Sequence, residues 1–464
     1  MENQISELQE QPKAAPTFWE SNKFVFKGFF IGLLILLMLI PSFFVQNLVH
    51  ERASRKEEVI AEISEKWGNA QTVFGPFLVI PYLKTVAVAD NKTKEVKSLI
   101  YYLPENLKVN GNVQPEDRHR SIYDVTLYRT SVQIAGHFDP NTLANIGIEP
   151  QKILWNEAYV QLGLSDIKGL EKQISVHWDK DVQGSFDVIN EEVVAKSDAE
   201  TVSDVASASS DNRDYTNLRF PIVYDPSKKH DFEIELYAKG SGGLYFTPTG
   251  NQTDVVLHST WRSPAFDGNY LPSNSSANEN GFTANWSIPK ASRPYAQVSV
   301  GAAPKLSASS FGVKLLQLND NYAKNERSVK YAILFVTLTF AIFFLMEILQ
   351  KRSIHPLQYI LVGLALILFY VLLLSISEYA GFNKAYAVAA VAIVGLIGFY
   401  AGAILRSRRA GVSFGLGLSG LYAYIFFLIQ LEDYALLFGS IGLFIVLALI
   451  MYYTRKINWN SRVQ

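Results

Sequence analysis

Between Gly28 and Val49 the chain runs for 22 residues without a charge, GFFIGLLILLMLIPSFFVQNLV, and five more uncharged or nearly uncharged runs crowd into its C-terminal part. About 20 apolar residues suffice for a helix to cross a bilayer, so each run reads as a span. The later five are Tyr331–Gln350, Leu357–Ser377, Ala385–Leu405, Ala410–Leu431 and Tyr434–Thr454, which makes six in all. Residues 331–464 hold 13 of the 85 Asp, Glu, Lys and Arg residues, so the 18% charged average hides a nearly normal first 330 residues. A cleaved signal peptide is the competing reading of the first run. That run exceeds the usual h-region of ~7 to 15 residues, and His50, Glu51 and Arg52 follow it with no small-x-small cleavage site. Pro41 should kink this span or end it early, because it removes a backbone donor.

Lys and Arg near span ends stay on the cytoplasmic side. Lys13, Lys23 and Lys27 precede the first span, Lys351 and Arg352 separate the second and third, Arg406, Arg408 and Arg409 separate the fourth and fifth, and Arg455, Lys456 and Arg462 follow the sixth. The opposite short loops contain one basic residue, Lys384, beside Glu378, Glu432 and Asp433. The reading is therefore a cytoplasmic N-terminus (1–27), spans at 28–49, 331–350, 357–377, 385–405, 410–431 and 434–454, and a cytoplasmic tail (455–464). Residues 50–328 fall outside the cytoplasm.

That intervening segment is long enough to bury its own core. Glu51 to Trp67 carries apolar residues at roughly helical spacing, continuing the first span as an amphipathic helix that Gly68 ends. Runs starting at Phe77, Val96, Tyr123, Ile153, Gln173, Asp231, Asp254, Phe282 and Ala296 then alternate β-branched and aromatic residues, with turns at Asn110-Gly111 and Gly240 to Gly243. An antiparallel β-rich domain follows, a sandwich or two smaller sheets. Residues 190–214, acidic and rich in Ser and Ala, read as a mobile surface loop, as does Pro272 to Gly281. Phe311 to Lys330 reads as a helix leading into the second span. The fold class expected is thus α+β: six membrane helices, one N-terminal and five C-terminal, around a large β-rich domain inserted between the first two.

Several chemistries are excluded. Zero cysteines remove disulfides, thiolate metal sites and cysteine nucleophiles. No phosphate loop and no G-x-S-x-G elbow occur, and none of the seven histidines pairs with Glu or His at a helical metal-ligand interval. A net charge of -1 gives no reason to expect a nucleic-acid partner. No catalytic residue, cofactor or metal is assigned. Gly415, Gly417 and Gly420 spell G-x-G-x-x-G, but inside the fifth span. Gly398 and Gly402, with Gly411 and Gly415, instead suit close helix contact in lipid, a glycine-lined substrate path being the alternative.

Glu347 is the one ionisable side chain within the interior stretch of a span, which makes it a functional candidate by default. Lys351, four residues on, offers the structural explanation of a helical ion pair. Glu378 at the outer end of the third span can reach water. His355-Pro356 reads as punctuation at the start of that span, with proline suited to a first helical position and histidine able to cap or titrate.

The chain resembles the CreD family of bacterial inner-membrane proteins, grouped as cell-envelope integrity proteins. The pattern is carried by Tyr322, Arg327, Lys330 to Leu334, Glu347, His355 to Tyr359 (including Pro356 and Gln358), Leu361 to Gly363, Ser377-Glu378 and Gly381-Phe382. Glu51-Arg52-Ala53 fits too, as do Gly75-Pro76, Leu103-Pro104, Ser165-Asp166 with Gly169, Trp261 with Pro264, Phe266 and Gly268, Leu271-Pro272, and Gly281-Phe282 with Trp286. The resemblance implies an inner-membrane protein of a Gram-negative type of envelope, linked to a two-component regulatory response, β-lactam response and colicin tolerance. It supplies no reaction.

The function expected is non-enzymatic support of envelope integrity, with six spans anchoring a periplasmic domain that binds an unidentified envelope component or partner protein. The only other partner expected is the lipid bilayer, and no oligomeric state follows from the residues. A transporter or lipid-handling protein centred on Glu347 and the glycine-rich spans is the second reading. The third is an enzyme of the outer domain, with Glu116, Asp117, Asp124 and Asp166 as candidate acids, although Asp166 better suits a turn or short-helix cap.

Overall fold

The computed structural model describes residues 23–88, 92–188, 215–315, 321–350, 354–431 and 434–455. The segment 190–214 read as a mobile loop lies outside them. The chain divides into two units, residues 1–55 with 320–464, and residues 56–319.

Seven α-helices are described. Helix α1 (Lys23–Trp67) is unbroken across Pro41, so the proline does not end it, and Gly68, at φ 143°, closes it with a backbone bond to Ser64. The rest are α2 (Asn321–Lys330), α3 (Ala332–Gln350), α4 (Pro356–Ala380), α5 (Phe382–Ile404), α6 (Arg408–Gln430) and α7 (Ala435–Thr454). Four of them, α1, α4, α5 and α6, are long and apolar enough to cross a membrane. The pair α2 and α3 makes a fifth candidate if its 44° bend lies within one span, while α7 is apolar over the shorter stretch Ala435–Leu449. Phe311 to Lys330 is therefore not one helix: Phe311–Leu315 is a strand, and α2 begins at Asn321.

Ile31, Leu34, Met38, Val45 and Val49 form the buried stripe of α1, while Phe29, Leu36, Phe43 and Phe44 are exposed on it. Such a distribution is the one expected of a helix that packs on one side and faces lipid on the other. Gly363 of α4 sits in that contact, where a Cβ would lie 2.7 Å from the Met38 sulfur.

The second unit is β-rich, with two sheets of nine and eight strands. Gln71–Val88 is central to the nine-stranded sheet, pairing antiparallel with Lys92–Tyr102 and Tyr159–Leu164 and parallel with Gly243–Phe246. Leu78 and Ile80 face the main core, while Phe77 and Val79 enter a second cluster with Phe74, Tyr101 and Leu306. Burial on both faces is why this strand reads as a continuous apolar run.

The eight-stranded sheet is built on β1 (Asn106–Arg120), β2 (Tyr123–Phe138), β3 (His230–Ser241), β4 (Gln252–Ser259) and β5 (Gly281–Pro289), in the order β5-β4-β1-β2-β3. The β4–β1 pair is parallel, so the unit is not purely antiparallel. Asn110-Gly111 lies within β1, not in a turn, and Asn274–Asn278 is an exposed strand beside β5 where a loop is expected. Inward residues of both sheets, among them Ile80, Leu162, Val109, Ile134, Leu236 and Trp286, share one core. Tyr128 of β2 donates its buried hydroxyl to the Gly243 carbonyl, tying one sheet to the other at 2.7 Å.

Candidate functional site

Glu347 is 5% exposed. A carboxylate so placed must be paired or hydrogen-bonded, since burying an isolated charge costs far more than any packing gain. Its Oε1 is ion-paired with Lys27 of α1 and accepts the Ile354 amide at 3.2 Å, and its Oε2 accepts the Tyr359 hydroxyl at 2.9 Å. Lys27 also donates to the Ile354 carbonyl at 2.8 Å. The acid of α3 thus joins α1, the α3–α4 connection and α4 in one knot. Lys351, the partner expected from helical spacing, lies outside the described residues.

The next residues shape that connection. His355 caps α4, its Nδ1 accepting the Leu357 amide at 3.2 Å while Gln358 Oε1 accepts the His355 amide at 3.0 Å. This is the reciprocal arrangement of a capping box, with an imidazole in the usual Ser or Thr position. Pro356, the first helical residue, has no amide to leave unsatisfied.

A second polar cluster fixes α2 against the α4–α5 turn. Tyr322 donates to Glu378 at 3.0 Å, Asn325 to the Ser377 hydroxyl at 2.8 Å, and Asn321 accepts the Phe382 amide at 3.2 Å. Asn325 and Ser377 are each 1% exposed. The sequence marks Glu378 but not Asn325, whose significance depends on Ser377, 52 positions away.

Gly398 lies against Gly415 and Gly402 against Gly411, and a Cβ on Gly411 would stand 2.6 Å from the Gly402 Cα. Helices α5 and α6 therefore approach through both pairs. Glu51 and Arg52 are exposed on α1, and Arg327 is half-buried on α2.

The acids considered for catalysis in the β-rich unit have structural contacts. Glu116 meets Arg118 and Arg129, Asp117 accepts from Thr126, and Asp124 pairs with His119. Asp166 caps the short helix Ile167–Gly169 and holds Asn69 through its amide and side chain. His230, 1% exposed, lies 2.9 Å from Asp179 and 3.0 Å from the Asp225 carbonyl, between the rings of Trp178 and Tyr224. Partial burial raises the Asp179 pKa, but hydrogen bonds from His230, Lys228 and the Asp231 amide outweigh that and hold it below the usual carboxylate range. Among the described residues no three His, Asp or Glu side chains gather as metal ligands would.

Inner membrane protein CreD of Escherichia coli (strain K12) is 29% identical over 432 residues, which cover 92% of this chain and 91% of that protein. The family profile described as "Inner membrane protein CreD" matches residues 23–460. A match of that extent runs through the helices, both polar clusters and the β-rich unit, and the chain belongs to the CreD family of inner membrane proteins.

Proposed function

We propose that the protein supports cell-envelope integrity without catalysis: six spans hold residues 50–328 in the periplasm, where a β-sandwich binds an envelope component or a partner protein. Both termini are cytoplasmic in this reading, which follows the Lys and Arg bias of the short loops. Participation in envelope stress or β-lactam response comes with it as the process served.

The observation that carries the proposal is the state of Glu347. A proton or ion carrier within the membrane needs an acid with capacity to exchange partners. Here both carboxylate oxygens are engaged by groups from α1, α4 and the connection between them. The glycine pairs are likewise occupied by helix contact. Transport or lipid handling through Glu347 and the glycine-rich spans is disfavoured on both counts, and recognition falls to the large β-rich unit.

Complementation of a deletion strain under envelope stress tests this at matched membrane levels. Glu347→Gln should rescue and deletion of residues 68–310 should not. The reverse pattern would move function into the bilayer.

A further inference from the structure

Three poor strand formers, Asn110, Gly111 and Asn112, occupy the middle of β1, itself paired on both sides. Asn and Gly are depleted in strands. Gly111 has a packing reason, because a Cβ there would stand 2.5 Å from the Leu257 side chain. The two asparagines have none: their side chains are exposed, and among the described residues no hydrogen bond engages them. A local rule broken without a compensating contact is expected at functional positions.

The register shows what surrounds them. Asn110 stands opposite Gln133 of β2, and Asn112 stands between His258 of β4 and Ser131 of β2. One strand further, Gln133 faces Glu235 and Ser131 faces Tyr237 of β3. Short side chains at the centre and longer ones around them leave a depression of about 290 Å³, which these residues line on the outward face of the sheet.

Its chemistry is selective. Each amide offers donors and an acceptor together, Ser131 a hydroxyl, and Glu235 a carboxylate that Tyr237 meets only at a long 3.4 Å. No Lys or Arg lines the depression, its one imidazole, His258, is turned to the Thr283 hydroxyl at 3.0 Å, and Glu235 sets a carboxylate beside it, so a phosphate or carboxylate has no fixed counter-charge; Lys172, the cation beside it, lies over the Tyr237 ring at 4.3 Å. Its one aliphatic side chain, Val132, is buried, and its apolar surface includes the half-buried ring of Tyr237, a flat aromatic face of the kind a sugar ring lies on rather than a groove for an acyl chain. Strands flank β1 and β2 on both sides, so no backbone edge is free to receive a peptide strand. Paired donors and acceptors without net positive charge match vicinal hydroxyls.

We infer that this face binds a neutral, hydroxyl-rich saccharide chain, with Asn110, Asn112, Gln133 and Glu235 as its principal hydrogen-bonding groups. The inference deepens the proposed function and rests on it, naming the envelope component as a glycan.

The full-length protein in nanodiscs is titrated with cellotetraose and chitotetraose, with a galacturonic acid tetramer and tetra-alanine as anionic and peptide probes, followed by saturation-transfer NMR and calorimetry. Saturable binding of a neutral tetrasaccharide is expected. It should weaken at least tenfold in the double variant Asn110→Thr/Asn112→Thr, and in Glu235→Gln. Threonine favours strands, so the double variant should melt no lower than the parent, separating lost recognition from lost folding. Binding of neither saccharide, unchanged affinity in the folded double variant, or preference for the anionic or peptide probe would overturn the inference. In the deletion strain, full protection by the double variant beside failure of the 68–310 deletion would sink the glycan site alone. Protection by the deletion would sink the proposed function itself.

Discussion

A buried carboxylate is only as stable as its donors. Replacing Lys27 by Met leaves Glu347 as an unpaired charge, which should destabilise the helical unit by about 3–5 kcal/mol. Adding Glu347→Gln should restore much of that loss, and a double-mutant cycle of thermal melts in detergent would measure the coupling. Tyrosines in the same unit offer a sharper contrast. Tyr359→Phe removes a hydrogen bond to a charged group and should cost about 1.5–3 kcal/mol. The buried hydroxyls of Tyr370 and Tyr422 have no partner among the described residues, so their replacement by Phe should be neutral or stabilising. Outside the helices, the lowered pKa of Asp179 gives a stability contribution present above the ordinary carboxylate value of 3.8 and lost as pH falls through the folded-state value. Acid unfolding of the β-rich unit, followed by tryptophan fluorescence, should therefore shift to higher pH in Lys228→Ala, which removes one source of that depression.

At the scale of elements, the glycines of α6 separate into two kinds. Gly411→Ala forces a methyl into the Gly402 backbone and should lower the melting temperature, whereas Gly417, with nothing within 4 Å of its Cβ position, should accept Ala with a gain of up to about 1 kcal/mol. Thermal melts of the two purified variants check both signs. The helices were legible in the sequence because apolar length is a local property, and Gly68 as a helix end for the same reason. Glu347 stood out as a lone acid, but its partner did not: Lys27 is 320 positions away and looks, locally, like a topology flank. Asn110-Gly111 obeys the local rule for a turn, yet pairing of β1 with β2 and β4 on either side holds it extended. Phe311–Leu315 could not be separated from α2 by composition, since its strand character comes from pairing with Gly243–Phe246. Local chemistry thus exposed elements and isolated charges, while long-range partners set the polar clusters.

For the whole molecule, the proposed topology is open to a direct chemical test, because a chain without cysteine is already the background for single-cysteine labelling. Ser275→Cys, on the exposed edge strand, should react with a membrane-impermeant maleimide once the outer membrane is permeabilised. Ser407→Cys, at the start of α6, should react only after the inner membrane is opened. Equal reactivity, or the reverse order, would contradict the orientation. Assembly of the β-rich unit also has a timetable set by its strand pairing. Gln71–Val88 is its first strand to leave the ribosome, yet partners along it include Gly243–Phe246, and Gly75 bonds to Thr247 from 172 positions away. Until that later segment has been synthesised, an apolar strand stands with an open edge, the condition under which chains aggregate or recruit chaperones. With the β-rich unit on the periplasmic side, as proposed, its maturation is tied to delivery across the membrane: the sheet of Gln71–Val88 closes only when nearly all of the unit has arrived, after the N-terminal helix that precedes it.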